Sequence, residues 1–297
     1  MRLAADRALV TVPATSANLG PGFDALGIAL SVRDEISVRA IAGETTVRVT
    51  GQGAGEVPTD ASHLVARATL RALEYVGAPL TGLELHCHNR IPHGRGLGSS
   101  AAAVVAGIVA ARGLISEPEA LSDEVALALA TEFEGHPDNA APALLGGFTV
   151  AWITDDDTPR AVNVPVAAGV EPVLLVPNEQ CATSDARGVL PTRIPHVDAA
   201  FNAGRAALLT YALSSDPSLL FEATADRLHQ NYRATVMPEA ARVLAQLREA
   251  GVPAVISGAG PAILVLAAPA DVNVAEIAGN NWHHAAVEID EVGATVS

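Results

Sequence analysis

The chain has 297 residues, 33 acidic and 18 basic side chains, a formal net charge of -15, and 49% apolar against 17% charged residues. Nucleic acid is not the expected partner, because phosphodiester binding is driven by clustered cations that release counterions and no basic run offsets the acidic excess. The apolar content excludes intrinsic disorder and allows a sizeable core, in one large domain or two small ones.

All 18 basic residues are Arg. A Walker-type P-loop and an imine-forming lysine site are therefore excluded, and any phosphate must be held by backbone N–H groups, Arg, hydroxyls or a metal. Only two cysteines occur, Cys87 and Cys181, without the spacing of a zinc ribbon or a redox pair. No secretory h-region follows Met1, and the longest apolar run, 101–111, is about half of a bilayer span. A soluble, cytoplasmic protein is expected.

In chain order, alternation over 8–12, at Leu26, Ile28 and Leu30, and at Ile36, Val38 and Ile41 predicts successive short strands, continued over 46–50. Val65, Ala68, Ala72 and Val76 predict a helix over 60–76, capped by Asp60 and stopped by Gly77. Leu83 and Leu85 lie on a strand that leads into a glycine-rich loop, then a buried helix of small residues and a further helix over 117–133. The second half predicts strands at 148–153 and 172–176, helices over 197–228 and 238–250, strands at 254–257 and 262–266, and a last helix and strand over 272–278 and 285–292. Strands and helices without strict βαβ alternation predict an α+β fold. The division is expected near residue 160, giving units 1–160 and 161–297. Asp155, Asp156 and Asp157 read as a solvated turn.

Three segments carry polar chemistry. Gly94, Gly96 and Gly98 alternate just before Ser99 and Ser100 and the apolar helix. Glycine lets backbone approach a ligand, and a helix start offers free N–H groups with a partial positive charge, so the loop reads as an anion site whose serines supply a hydroxyl to phosphate or magnesium. The alternative is a strand-to-helix turn that needs glycine for shape alone. Gly135-His136-Pro137-Asp138-Asn139, preceded by Glu132 and Glu134, gathers hydrogen-bonding groups that grip a small polar substrate, or else form an Asx-type helix cap. The long loop 13–24 joins two strands, with Asn18 and Asp24 as its strongest polar candidates. His86, Cys87, His88 and His93 invite a zinc reading, against which stands the lack of further spaced ligands.

Taken jointly, the motifs resemble the GHMP kinase superfamily. Pro-Ala-Thr-Ser-Ala-Asn-Leu-Gly-Pro-Gly-Phe-Asp at 13–24 is similar to a first motif, Gly-Leu-Gly-Ser-Ser-Ala-Ala at 96–102 to the phosphate loop, and Ser-Gly-Ala-Gly-Pro at 257–261 to a third motif. Gly-His-Pro-Asp-Asn at 135–139 is similar to the branch that phosphorylates homoserine. The resemblance implies a GHMP kinase fold, with an N-terminal ATP-binding domain like ribosomal protein S5 domain 2 and a ferredoxin-like C-terminal domain, paired as a homodimer. It implies transfer of phosphate from ATP, with Mg2+, to the side-chain hydroxyl of L-homoserine on the route to threonine.

By the same resemblance, Pro92, His93, Gly94, Arg95, Gly96, Leu97, Gly98, Ser99, Ser100, Ala101 and Ala102 wrap the phosphates, and Ser100 (or Ser99) with Glu132 holds magnesium. A zwitterionic amino acid needs a carboxylate for its amine and a cation for its carboxylate. Asp24 and Asp138 match positions near the amine and hydroxyl, Asn18, His136 and Asn139 line the pocket, and Arg187 and Arg233 face the carboxylate, a task that suits the guanidinium fork. Superfamily members that use an Asp at the Asp138 position as a base pair it with a lysine, which this chain lacks, so Asp138 is expected to position the substrate. Two departures stand out: Ala262 where the third motif has Ser or Thr, and His63 where an asparagine lies beside the adenine.

Overall fold

The computed structural model describes residues 1–297. Two long antiparallel strands, β1 (Arg7–Ala17) and β2 (Leu26–Ile41), open the chain. The two short strands expected over 26–41 are one 16-residue strand. It continues through Asp34, which interrupts the apolar alternation; its buried Oδ1 accepts the backbone N–H groups of Arg90 and Ile91 at 2.6 and 2.9 Å. β3 (Thr46–Gly51) runs parallel to β4 (Gly82–Asn89), with α1 (Leu64–Tyr75) as the crossover. The α1 cap is His63 and not Asp60: its Nδ1 accepts the Val65 N–H, while Asp60 accepts from Ser62.

α2 (Ser99–Leu114) lies under the sheet with α3 (Asp123–Glu134) and α4 (Ala140–Leu145). The small residues of α2 are buried almost all round because sheet and neighbouring helices both press on it. β5 (Phe148–Ile153) and β6 (Pro159–Val164) extend the sheet from β2.

The second sheet is built from β7 (Val173–Pro177), then α5 (Thr183–Gly188), α6 (His196–Ser214), α7 (Leu220–Ala223), α8 (Gln230–Arg233), α9 (Pro238–Glu249), β8 (Ala254–Ile256), β9 (Ile263–Val265), α10 (Val274–Ala278) and β10 (Trp282–Ala286). Its order is β10-β7-β9-β8, antiparallel throughout. This is the ferredoxin-like βαββαβ arrangement, with the last strand beside the first. The helix expected over 197–228 stops at Ser214, because Pro217 has no N–H to continue the ladder.

The chain then returns to the first sheet. β11 (Thr295–Val296) pairs with β1, and Arg33 ties β2 to the tail through Asp290 and the Gly293 carbonyl. The division expected at residue 160 falls inside β6, and the first unit takes back the last residues of the chain. No helix is long and apolar enough to cross a membrane.

Candidate active site

The glycine loop joins β4 to α2, and Gly94, Gly96 and Gly98 all have positive φ, at 64°, 74° and 67°. Shape alone demands glycine at two of them. A Cβ on Gly96 would lie 2.1 Å from the Ser257 carbonyl, and one on Gly98 would lie 1.8 Å from Thr15 Oγ1. The loop is thus cemented from behind by the third motif: Ser257 Oγ lies 2.7 Å from Gly96 O, and Ala262 N donates to Arg95 O at 3.1 Å. The hydroxyl missing at Ala262 leaves this backbone seam intact. In front, the first-turn N–H groups of α2 have no intrahelical acceptor, an arrangement that can receive an anion. Arg95 turns away from it, donating to the carbonyls of Pro177, His93 and Asn178, so it braces the loop against β7.

The structure separates the two carboxylates at the end of α3. Glu134 accepts a 2.6 Å hydrogen bond from Ser100 Oγ. Glu132 instead takes both the Nε and Nη2 of Arg71, at 3.0 and 3.1 Å, and is half exposed. Residues two apart on a helix point in widely different directions, so only one of the pair can face α2. Glu132 is therefore not brought to Ser100, and Glu134 is. Burial raises the Glu134 pKa against the opposing hydrogen bond from Ser100.

The loop 18–24 brings Asn18 and Asp24 together in left-handed conformations, at φ of 67° and 57°. Asn18 Oδ1 accepts the Asp24 N–H at 2.9 Å, and its Nδ2 donates to Gly258 O at 2.9 Å. Short polar side chains tolerate such angles; Leu19 between them, at 47°, is held there against its preference. Asp24 receives Arg187 through two bonds, Nη2–Oδ1 at 2.7 Å and Nη1–Oδ2 at 3.3 Å. Arg233 is buried, and its guanidinium lies 5.6 Å over the Phe23 ring, as does that of Arg187. Burial first, and then the charge of Arg187, lowers the Arg233 pKa to about 10.

Asp138 is fully buried, and its Oδ1 accepts from His136 Nδ1 at 2.5 Å and from Asn139 N at 2.9 Å. Burial opposes a charged His136, but the hydrogen bond and charge of Asp138 outweigh it and raise its pKa. Asn139 Oδ1 accepts from Thr15 Oγ1 at 2.8 Å. Ligating atoms of Asp24, His136 and Asp138 lie within 4.8 Å of one another. In the sequence His136 and Asp138 share one short motif, and only the resemblance joins Asp24 to them.

Two adjoining cavities meet at Gly94, Ser99 and Ser100. One, of about 240 Å³, is lined by Asn18, His136, Asp138, Asn139, Arg187 and Arg233. The other, of about 400 Å³, is lined by Asp34, Val57, His63, Asn89 and His93 among others. His63 is buried here, and burial and then the charge of His93 lower its pKa. His86 and His88 lie on the exposed face of the sheet, whereas Cys87 faces the core, where burial pushes its thiol up to about 12. These residues do not converge on a zinc site.

A residue missed in the sequence is His229. It is fully buried between the loop 18–24 and Arg233. The four-residue spacing from Arg233 was the available signal.

The family profile described as "GHMP kinases N terminal domain" matches residues 63–147, and "GHMP kinases C terminal" matches residues 208–284. The chain belongs to the GHMP kinases. This GHMP kinase is 51% identical over 289 residues to the homoserine kinase of Streptomyces avermitilis, covering 97% of this chain and 94% of that one. It is 50% identical over 297 residues to the homoserine kinase of Clavibacter michiganensis, covering 98% and 94%. Its fold superposes on the crystal structure of homoserine kinase from Cytophaga hutchinsonii with a TM-score of 0.83 at 30% identity, over 99% of this GHMP kinase and 98% of that chain.

Proposed function

We propose that this GHMP kinase transfers the terminal phosphoryl group of ATP to the side-chain hydroxyl of L-homoserine, giving O-phospho-L-homoserine for threonine biosynthesis. The observation that carries the substrate is that Arg187 and Arg233 line one cavity of about 240 Å³ beside the phosphate loop, with Asp24 paired to Arg187 and close to the cavity-lining His136 and Asp138. A zwitterion satisfies both signs there, with its ammonium at Asp24 and its carboxylate at the arginines. Mevalonate, which has no amine, leaves Asp24 without a use.

The α2 amides hold the phosphates through their unpaired N–H groups and partial positive charge. Ser100 and Glu134 fit a magnesium ion by donor chemistry, a hydroxyl and a carboxylate oxygen 2.6 Å apart. When bound there, the ion supplies neutralisation of the phosphate charge. Asp138 Oδ1 is occupied by two donors, while Oδ2 accepts nothing from the protein. It therefore orients the substrate hydroxyl, with His136 holding the carboxylate still. Phosphoryl transfer through a loose transition state asks for this kind of alignment more than for a strong base. The larger cavity, with His63 and Asn89, takes the nucleoside.

The deciding experiment is ADP release by the purified chain with ATP and magnesium, comparing L-homoserine with mevalonate. Turnover on homoserine alone is expected; turnover on mevalonate alone overturns the substrate reading. A homodimer belongs to the same proposal, with Trp152, Ile153 and Val162 exposed on the β5–β6 hairpin as a candidate face, and light scattering measures it. A cytoplasmic location is tested by cell fractionation.

A further inference from the structure

His229 has one partner on each ring nitrogen, and the two partners dictate its protonation. Nε2 lies 2.8 Å from the Gly20 carbonyl, which can only accept, so Nε2 carries the hydrogen. Nδ1 lies 3.0 Å from Arg233 Nη1, which can only donate, so Nδ1 is bare. The imidazole is neutral, and its surroundings keep it so. It has no solvent exposure, the Phe23 ring packs 5.2 Å away, and Arg233 and the carboxylates of Asp226 and Asp24 are the charged groups that face it. Burial is the largest influence on its pKa and lowers it.

The consequence falls on Arg233. A guanidinium has five N–H donors in a rigid fork. Nε donates to Ala186 O at 3.2 Å, and Nη1 donates to His229 Nδ1 at 3.0 Å and Gly258 O at 2.8 Å. Only the two hydrogens of Nη2 have no protein acceptor, and Arg233 lines the smaller cavity. Carbonyls of Ala186 and Gly258 restrain two donors, and the ring nitrogen of His229 restrains the third. That third acceptor is itself anchored: Asp226 accepts the N–H groups of His229 and Gln230 at 3.0 and 2.8 Å, and the far side of the ring holds Gly20 in the loop that carries Asp24.

We propose that His229 is a positioning residue, whose neutral ring holds the Arg233 guanidinium so that Nη2 meets the substrate's carboxylate. This rests on the reading above that Arg233 faces that carboxylate. His229 itself touches no substrate.

Two variants separate the contacts. In His229→Asn, the amide oxygen stands near the place of Nδ1 and can accept from Arg233, while the Gly20 bond is lost. In His229→Gln, the longer amide can donate to Gly20, while the acceptor for Arg233 is lost. Steady-state kinetics would be measured on L-homoserine and on 3-aminopropan-1-ol, which keeps hydroxyl and ammonium but has no carboxylate. His229→Gln is expected to raise the homoserine KM roughly tenfold to a hundredfold, as loss of one hydrogen bond to a charged group implies. Its kcat should change little, and kcat/KM on the amino alcohol should not change. His229→Asn should restore the homoserine KM to within a few-fold of the parent.

Equal losses on both substrates, or equal losses in both variants, would overturn the proposal and leave His229 a packing residue. Arg233→Ala controls for the underlying reading. If it does not favour the amino alcohol over homoserine, the assignment of Arg233 fails; if it does and His229→Gln does not, only the positioning role fails. Should His229→Gln not fold, nitrogen NMR of the parent protein decides. The Nδ1 resonance should be that of a bare nitrogen and should shift with homoserine but not with the amino alcohol; a protonated Nδ1, or no difference between ligands, sinks the idea.

Discussion

Arg187 and Asp24 face each other with two nitrogens on two oxygens, 2.7 and 3.3 Å apart, so the cationic and anionic ends of the site close on one another. A zwitterionic substrate must part this pair and replace each partner with its own opposite charge. The pair is about one-third exposed, so by itself it contributes little to stability, on the order of 0–1 kcal/mol. Asp24→Asn is therefore expected to melt close to the parent. Its homoserine KM should rise roughly tenfold to a hundredfold, the effect of losing a charged hydrogen bond. An unchanged KM in initial-rate measurements would remove Asp24 from the substrate site.

The two glutamates of α3 should respond in opposite ways. Glu134→Gln removes the carboxylate that meets Ser100, and the magnesium concentration for half-maximal rate should rise by at least about tenfold, one charged ligand's worth. Glu132→Gln breaks only a half-exposed pair with Arg71, at about 0–1 kcal/mol of stability, with the magnesium titration unmoved. Reversed results would return the metal site to Glu132.

Asp138→Asn keeps a hydrogen-bonding group of the same size beside the hydroxyl. With Asp138 as a positioning group, homoserine affinity and kcat should fall together and modestly, within about a hundredfold. A loss of several orders of magnitude in kcat at unchanged homoserine affinity would instead make Asp138 the base.

His136 sets a pH dependence of stability. Burial resists its charging, but Asp138 outweighs burial, so the folded pKa lies above the unfolded value of 6.5. A raised pKa means that folding favours the cation. The stabilisation is then fully present below pH 6.5 and fades as pH climbs through the folded pKa. In urea titrations, the stability gap between the parent and His136→Gln should be widest at mildly acid pH and narrow towards alkaline pH. A gap that widens with pH would show that burial wins.

Gly96→Ala tests the seam behind the phosphate loop. Its Cβ would meet the Ser257 carbonyl at 2.1 Å in a residue whose φ is 74°. Strain of about 1–3 kcal/mol is expected from the backbone angle alone, with the phosphate cradle displaced as well. Calorimetry should show both a lower melting temperature and weaker ATP binding; full ATP affinity would mean that the loop flexes without loss.

Local signals made the glycine loop, the helix over 238–249 and the strands around the third motif readable, since each combines a hydrophobic period with a turn residue. β2 read as two strands because Asp34 interrupts its period, and the compensating N–H groups of Arg90 and Ile91 lie over fifty residues away. Glu132 and Glu134 could not be told apart, because their sequence neighbourhoods are alike and only the rotation of α3 relative to Ser100 decides. The roles expected of Asp24, Arg187 and Arg233 came from resemblance; nothing in their spacing announces that Arg187 and Arg233 share a cavity or that Arg187 pairs with Asp24. His229 had a usable helical spacing from Arg233, but a lone histidine gives no hint of which carbonyl its far side will meet.

The pairing of Thr295 and Val296 with β1 has a bearing on biosynthesis. The first sheet takes β1 from residues 7–17, yet it acquires its outer strand only from Thr295 and Val296, which are made after every strand of the second sheet. The two halves therefore cannot mature one after the other like beads on a string. A change that breaks the pairing of Thr295 and Val296 would be felt first in the sheet whose other strands are made before the second sheet.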